Sequence, residues 1–230
     1  MPPMTNSKMQ AVMDQLLSIS VGMEVIYSFV IILCSLMVYF GTKELYELTN
    51  HKGIKYFRLS FLFFAIAYFF RSFIKFLIAL FGVAAIRDIP QFIAPLTLFI
   101  FIYASSMAVF YLFYSVICKK WENKSYLFHI FAIVISLVIL LSDDASWIYL
   151  GINILLFLLL AIGVCIMHRN NKGKKKNNFF IVYILLFAFW LLNVVDILIP
   201  TIIGSYQLTV YLISLGIFML ILFKVLKRAG

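Results

Sequence analysis

The 230-residue sequence predicts an all-α integral membrane protein, a seven-transmembrane-helix bundle with its N-terminus outside and its C-terminus in the cytoplasm. Composition, the length of the uncharged runs and the placement of Lys and Arg between them carry that prediction. Hydrophobic residues make up 65% of the chain and charged ones 12%, with 25 Phe and a mean hydropathy of +1.08. A soluble domain of this size has too much surface in water to hide so many apolar side chains, whereas lipid solvates them. A helix needs about 20 apolar residues to cross a hydrocarbon core about 30 Å thick. Runs of that order recur along the chain.

Residues 1–23 read as an extracellular N-terminal segment and 24–228 as a single seven-helix domain. The first residues lack the short basic start, apolar stretch and cleavage site of a signal peptide. Val12, Met13, Leu16 and Leu17 recur at helical spacing, which suits a short helix lying on the membrane surface. Residues 25–42 carry no charge and form the first span. The second begins near Tyr56 and meets Arg71 and Lys75, so only 59–70 of it is uncharged. The third lies in the uncharged stretch 89–118, with Pro90 and Pro95 near its start, where proline disturbs a helix least. Residues 125–142 supply the fourth span and 145–167 the fifth. Across 177–223 Asp196 is the only charge, and the stretch is too long for one helix. The Pro and Gly of IPTIIGSYQ (199–207) divide it into a sixth and a seventh.

The basic residues test this division independently. Lys43, Lys52, Lys55 and Arg58 fall in the first connection, Lys119, Lys120 and Lys124 in the third, and Arg169, Lys172, Lys174, Lys175 and Lys176 in the fifth. Lys224, Lys227 and Arg228 end the chain, while the opposite side holds only Lys8 and Arg87. Positive charge stays cytoplasmic during insertion, and losing any one span would scramble the alternation. Because these residues hug helix ends, the formal charge of +10 reads as attraction to anionic headgroups at the cytoplasmic face, not to nucleic acid. The densest cluster, HRNNKGKKKNN (168–178), is an anchor of this kind or a docking site for a cytoplasmic partner.

Spans one to three and five to seven share an orientation, and each trio has an apolar span, a basic loop and an aromatic-rich span. A shift of 122 residues superposes Tyr68 and Arg71 on Trp190 and Asn193, which is compatible with a 3+1+3 repeat.

Charges inside a span are expensive, about 2.5–3.5 kcal/mol at the centre on insertion scales, and call for a reason. Arg71 lies about 22 Å past the inner end of the second span at about 1.5 Å per residue, in its outer third. Tyr68, Arg71, Ser72 and Lys75 share one helix face; Asn193 and Asp196 share another. Asn153 comes from the fifth span, Tyr206, Gln207 and Tyr211 from the seventh, and Thr97, Tyr103, Ser105 and Ser106 from the third. All fall at similar depth, whereas the inner half offers mainly Tyr39, Tyr111, Tyr114 and Ser115.

The functional reading is an outward-facing cavity formed by Arg71, Lys75, Tyr103, Asn153, Asn193, Asp196 and Gln207. There Arg71 and Lys75 would attract a small anionic or carbonyl-bearing ligand, with Asp196 as counter-ion. The competing reading has Arg71 and Lys75 extending to the interface and Asp196 pairing with Arg71 to fix two helices. The stripe Tyr103, Ser106, Phe110, Tyr114 reads as packing.

No HExxH, GxSxG or Walker loop is present, so an enzyme is not the expectation. His51, His129 and His168 lie apart, the Asp143–Asp144 turn lacks further acids nearby, and Cys34, Cys118 and Cys165 have no ligand spacing. No metal or cofactor is expected. A retinal pigment needs a lysine deep in the last helix, and only Lys224 and Lys227, at its inner end, are there. Three roles in the cell membrane stay open: a small-solute transporter or channel, a receptor or sensor signalling through a separate partner, and a non-catalytic subunit of a larger membrane complex.

Overall fold

The computed structural model describes residues 6–81, 92–117, 125–142, 144–170, 179–198 and 204–229. These form eight helices: α1 (Asn6–Gly41), α2 (Lys43–Thr49), α3 (Lys52–Phe81), α4 (Ile93–Ile117), α5 (Ser125–Leu140), α6 (Ala145–Asn170), α7 (Phe179–Leu198) and α8 (Gly204–Ala229). In lipid, with no water to satisfy it, a backbone bonds internally, which an α-helix does within its own segment. Helices α1, α3, α4, α6 and α8 are long and apolar enough to cross a membrane; α5 and α7 are apolar but shorter over the described residues. The chain is an all-helical, multi-pass membrane protein.

Large apolar side chains face outward in stripes. On α1, Ile26, Phe29, Leu33, Met37 and Phe40 are exposed while Tyr27, Ile31, Cys34 and Val38 are buried. On α5 only Phe128, Ala132, Ser136 and Ile139 are buried, and Ile130, Phe131, Val134, Leu137 and Val138 face out. Helices apolar on every side are soluble only in lipid, so packing rather than hydrophobicity decides which face turns inward. Three buried hydroxyls close on their own helices: Thr42 donates to the Val38 carbonyl (2.7 Å), Ser136 to that of Ala132 (2.7 Å) and Ser72 to that of Tyr68 (2.8 Å).

Helix α3 packs against α1 on one side and α4 on the other; α4 meets α5 and α6; α6 meets α7; α7 meets α8; and α8 returns to α1. At the centre are the fully buried rings of Phe61, Phe157, Phe189 and Phe218. Phe218 meets Phe189 edge-on at 5.0 Å and Phe61 at 6.1 Å, which ties α3, α7 and α8 together.

The α1–α3 connection is built tightly. Asn50 ends α2 in the left-handed region (φ 49°) and donates its N–H to the Tyr46 carbonyl at 2.8 Å, a conformation that asparagine tolerates better than most residues. Arg58 donates from Nε to the Tyr39 carbonyl (3.0 Å) and lies over the Tyr39 ring (4.9 Å), so a cation covers the C-terminal end of α1. At Gly53 the start of α3 approaches the end of α4 so closely that a Cβ would lie 2.9 Å from the Ser115 carbonyl oxygen. Gly53→Ala is therefore expected to destabilise the chain by about 1–3 kcal/mol through overpacking. Thermal unfolding in detergent checks this, and an unchanged midpoint would contradict it.

Candidate functional site

Helices α1, α3, α4, α5, α6 and α7 line a cavity of about 320 Å³. Its walls are mainly apolar, with polar groups supplied by Glu24, Tyr68, Arg71, Ser105, Tyr149, Asn153 and Asn193. Each polar group is held by a neighbour on another helix or by its own backbone, as burial in a membrane demands.

Arg71 on α3 is the central charge. Its Nε lies 3.5 Å from Oε1 of Glu24 on α1, and its guanidinium lies 5.7 Å from the centroid of the Tyr68 ring one turn earlier. Both charged side chains are largely buried, at 18% exposure for Arg71 and 6% for Glu24. Glu24 reaches this position because it lies on the buried stripe of α1, with Tyr27, Ser28 and Ile31 at helical spacing.

Asn193 on α7 gathers the donors around this pair. Its Oδ1 accepts from the Tyr68 hydroxyl at 2.9 Å, and from the Tyr27 hydroxyl and Arg71 Nη1 at 3.4 Å each. Its Nδ2 donates to the Phe189 carbonyl at 2.9 Å, which orients the amide with its oxygen toward the three donors. Tyr27 is stacked on Tyr211 of α8 with centroids 4.5 Å apart. One amide oxygen thus links α1, α3 and α7.

The opposite wall is neutral. The Ser105 and Tyr149 hydroxyls are bonded at 3.0 Å, and Asn153, itself buried, donates from Nδ2 to the Tyr149 carbonyl at 2.8 Å. Phe157 stacks on Trp190 at 4.3 Å, and with Phe64 and Phe101 they make much of the apolar surface. The described residues contain no group of His, Cys, Asp and Glu able to hold a metal ion.

Of the seven residues assigned to the cavity from the sequence, Arg71, Asn153 and Asn193 line it, as do Tyr68 and Ser105 from the other polar residues named at that depth. Tyr103 does not line it. Its hydroxyl instead lies 2.7 Å from Nδ1 of His129, whose Nε2 lies 2.8 Å from the Tyr111 hydroxyl. The side chains of Lys75, Asp196 and Gln207, and with them the expected Arg71–Asp196 pair, lie outside the described residues. Sequence reasoning missed Glu24, which opens the 24–228 domain but precedes the uncharged run 25–42 by one residue. The signal that finds it is its register with Tyr27 and Ile31. Reasoning also passed over Tyr149, which needed only a hydroxyl opposite it on α4.

The Tyr103–His129–Tyr111 bridge joins α4 to α5 away from the cavity. A neutral imidazole donates through one nitrogen and accepts through the other, so it satisfies both tyrosines at once. His129→Leu is expected to lose about 2 kcal/mol of stability by leaving two hydroxyls without partners. The same substitution in a Tyr103→Phe, Tyr111→Phe background should cost far less, and equal losses in both backgrounds would refute the bridge.

Comparison with known proteins adds one relative. The chain is 29% identical over 214 residues to a protein of Archaeoglobus fulgidus described as an uncharacterized protein, covering 90% of this chain and 93% of that one. The similarity runs through almost the whole of both proteins. No protein-family model matches the chain, and no solved structure matches it.

Proposed function

We propose that this protein is a seven-span bundle of the cell membrane, N-terminus outside, that binds a small solute in the outer half of the bundle. The observation that carries the reading is the cavity with Arg71, Glu24 and Asn193 at its edge and an aromatic lining. Binding sites are concave, mostly apolar, and carry a few placed polar groups, and volumes begin at about 300 Å³. Ionisable residues inside a span are retained where they serve a site or pathway.

The 3+1+3 repeat, with the trios α1–α3–α4 and α6–α7–α8 related by a two-fold axis and joined by α5, would account for several contacts. The 122-residue shift that relates Arg71 to Asn193 also relates Tyr27 to Tyr149. Tyr27 meets an aromatic ring on α8 (Tyr211, 4.5 Å), and Tyr149 meets one on α4 (Phe101, 5.5 Å). Helix α1 packs on α8 as α6 packs on α4. Arg71 touches Asn193, its own counterpart, as residues beside a two-fold axis do. Transporters built from such repeats hold their substrate between the halves, so translocation of the solute is the first reading.

A second reading, a sensor acting through a separate partner, is favoured by the phenylalanines packed beside the cavity. Phe218 is in ring contact with both Phe61 and Phe189, all three are fully buried, and such a cluster would block a polar path through the bundle.

Two measurements test the proposal. In a background with Cys34, Cys118 and Cys165 replaced, a membrane-impermeant thiol reagent applied outside should label cysteine at Asp144 and spare cysteine at Lys43. The reverse pattern would turn the cavity toward the cytoplasm. Thermal unfolding of the purified chain across a compound library should yield a ligand that raises the midpoint with concentration, and that loses its effect in Ala67→Leu, which fills the cavity. Uptake of that ligand into proteoliposomes separates transport from sensing.

A further inference from the structure

We infer that the ligand is uncharged, an apolar body carrying one carbonyl or hydroxyl group, and that Glu24 is the residue that rejects anions. The inference rests on the ligand-binding reading above and narrows its chemistry. Arg71 alone would draw a carboxylate or phosphate into the cavity. Glu24, buried and 3.5 Å from Arg71 Nε, already neutralises it, and any anion reaching the guanidinium meets a fixed negative charge a few ångströms away. Repulsion between two such charges in a partly desolvated site weakens anion binding by a factor on the order of 100.

The neutral wall supplies what an uncharged ligand needs. Ser105 and Tyr149 have two hydroxyl protons between them and use one in their mutual bond, so the second can be given to a carbonyl oxygen. Asn153 commits its Nδ2 to the Tyr149 carbonyl, which leaves its side-chain oxygen as an acceptor for a hydroxyl. Phe64, Phe101, Phe157 and Trp190 offer ring faces to the apolar body. The charged pair at the edge, in this view, fixes α1 against α3 and filters by sign.

The test uses two probes with the same two-ring body and nearly the same volume, 4-acetylbiphenyl and biphenyl-4-carboxylate, titrated onto the full chain in detergent. Tryptophan fluorescence, to which Trp190 in the lining contributes, reports binding. The ketone should bind at least 10-fold tighter than the carboxylate, and Glu24→Gln should reduce that ratio to a few-fold through tighter carboxylate binding. Ala67→Leu on α3 and Ile139→Phe on α5, which fill the cavity from different helices, should each abolish saturable ketone binding. A carboxylate that binds the unaltered chain as tightly as the ketone, or a ratio unmoved by Glu24→Gln, overturns the assignment of ligand class and leaves the cavity reading standing. Ketone binding that survives both filled variants, or no binding of either probe, overturns the cavity reading itself. If Glu24→Gln fails to fold, the ratio measured on the unaltered chain still decides.

Discussion

Replacing Glu24 by leucine is expected to destabilise the chain by about 3–5 kcal/mol, and replacing Arg71 by leucine as well to recover most of that loss. The size follows from what is left behind. A buried ion pair contributes little net stability when intact, because desolvating both charges offsets their attraction. Removing one member deprives the other of a buried counter-charge. After Glu24→Leu, the Arg71 guanidinium loses the carboxylate 3.5 Å from Nε and keeps, among its contacts, Asn193 Oδ1 at 3.4 Å and the Tyr68 ring at 5.7 Å. The double variant puts two apolar side chains between α1 and α3, where lipid-facing helices already pack well. Unfolding midpoints of the four proteins in one detergent give the coupling directly. Additive losses would mean that the two side chains do not act as a pair, and a change below about 1 kcal/mol would mean that Arg71 finds water or headgroups instead.

Asn193→Leu should cost about 3 kcal/mol, from a side chain of nearly the same size. Three donors on two other helices lose one acceptor: the Tyr27 and Tyr68 hydroxyls and Arg71 Nη1. Each buried donor left unmet costs about 1–3 kcal/mol, and the three overlap because an amide oxygen has two lone pairs and the contacts at 3.4 Å are long. The bond at 2.9 Å from Tyr68 therefore carries most of the effect. Asn193→Asp keeps the acceptor and adds a charge beside Arg71, so it should retain most of the stability that leucine loses. In a Tyr68→Phe background, Asn193→Leu should lose much less. Equal losses with Tyr68 present and absent would show that the Tyr68 bond does not carry the effect.

Much of the architecture was legible in the chain. Five of the helices placed from the sequence are long and apolar enough to cross a membrane, and Pro95 stands in the first turn of α4, where its missing N–H has no partner to lose. Arg71, Asn153 and Asn193 could be named because a polar side chain inside an apolar run stands out without knowledge of its surroundings. Glu24 did not stand out. It precedes the uncharged run by one residue, and a charge at the end of a run reads as the interface. Tyr103 and His129 were read separately because tyrosine is common at every depth and a lone histidine near a helix end has a bland explanation. Their bond through His129 depends on how α4 and α5 turn toward each other.

The sequence by itself determined that this protein is helical and belongs in a membrane, and which side chains interrupt its apolar helices. Partition into lipid sums over about 20 neighbouring residues and needs no partner from elsewhere in the chain. Only the tertiary structure decided that Arg71 faces Glu24, that one oxygen of Asn193 joins three helices, and that phenylalanines line the space between them. In lipid all faces of these helices are nearly equal in hydrophobicity, so rotation about each axis is set by packing and hydrogen bonding between residues far apart in the chain.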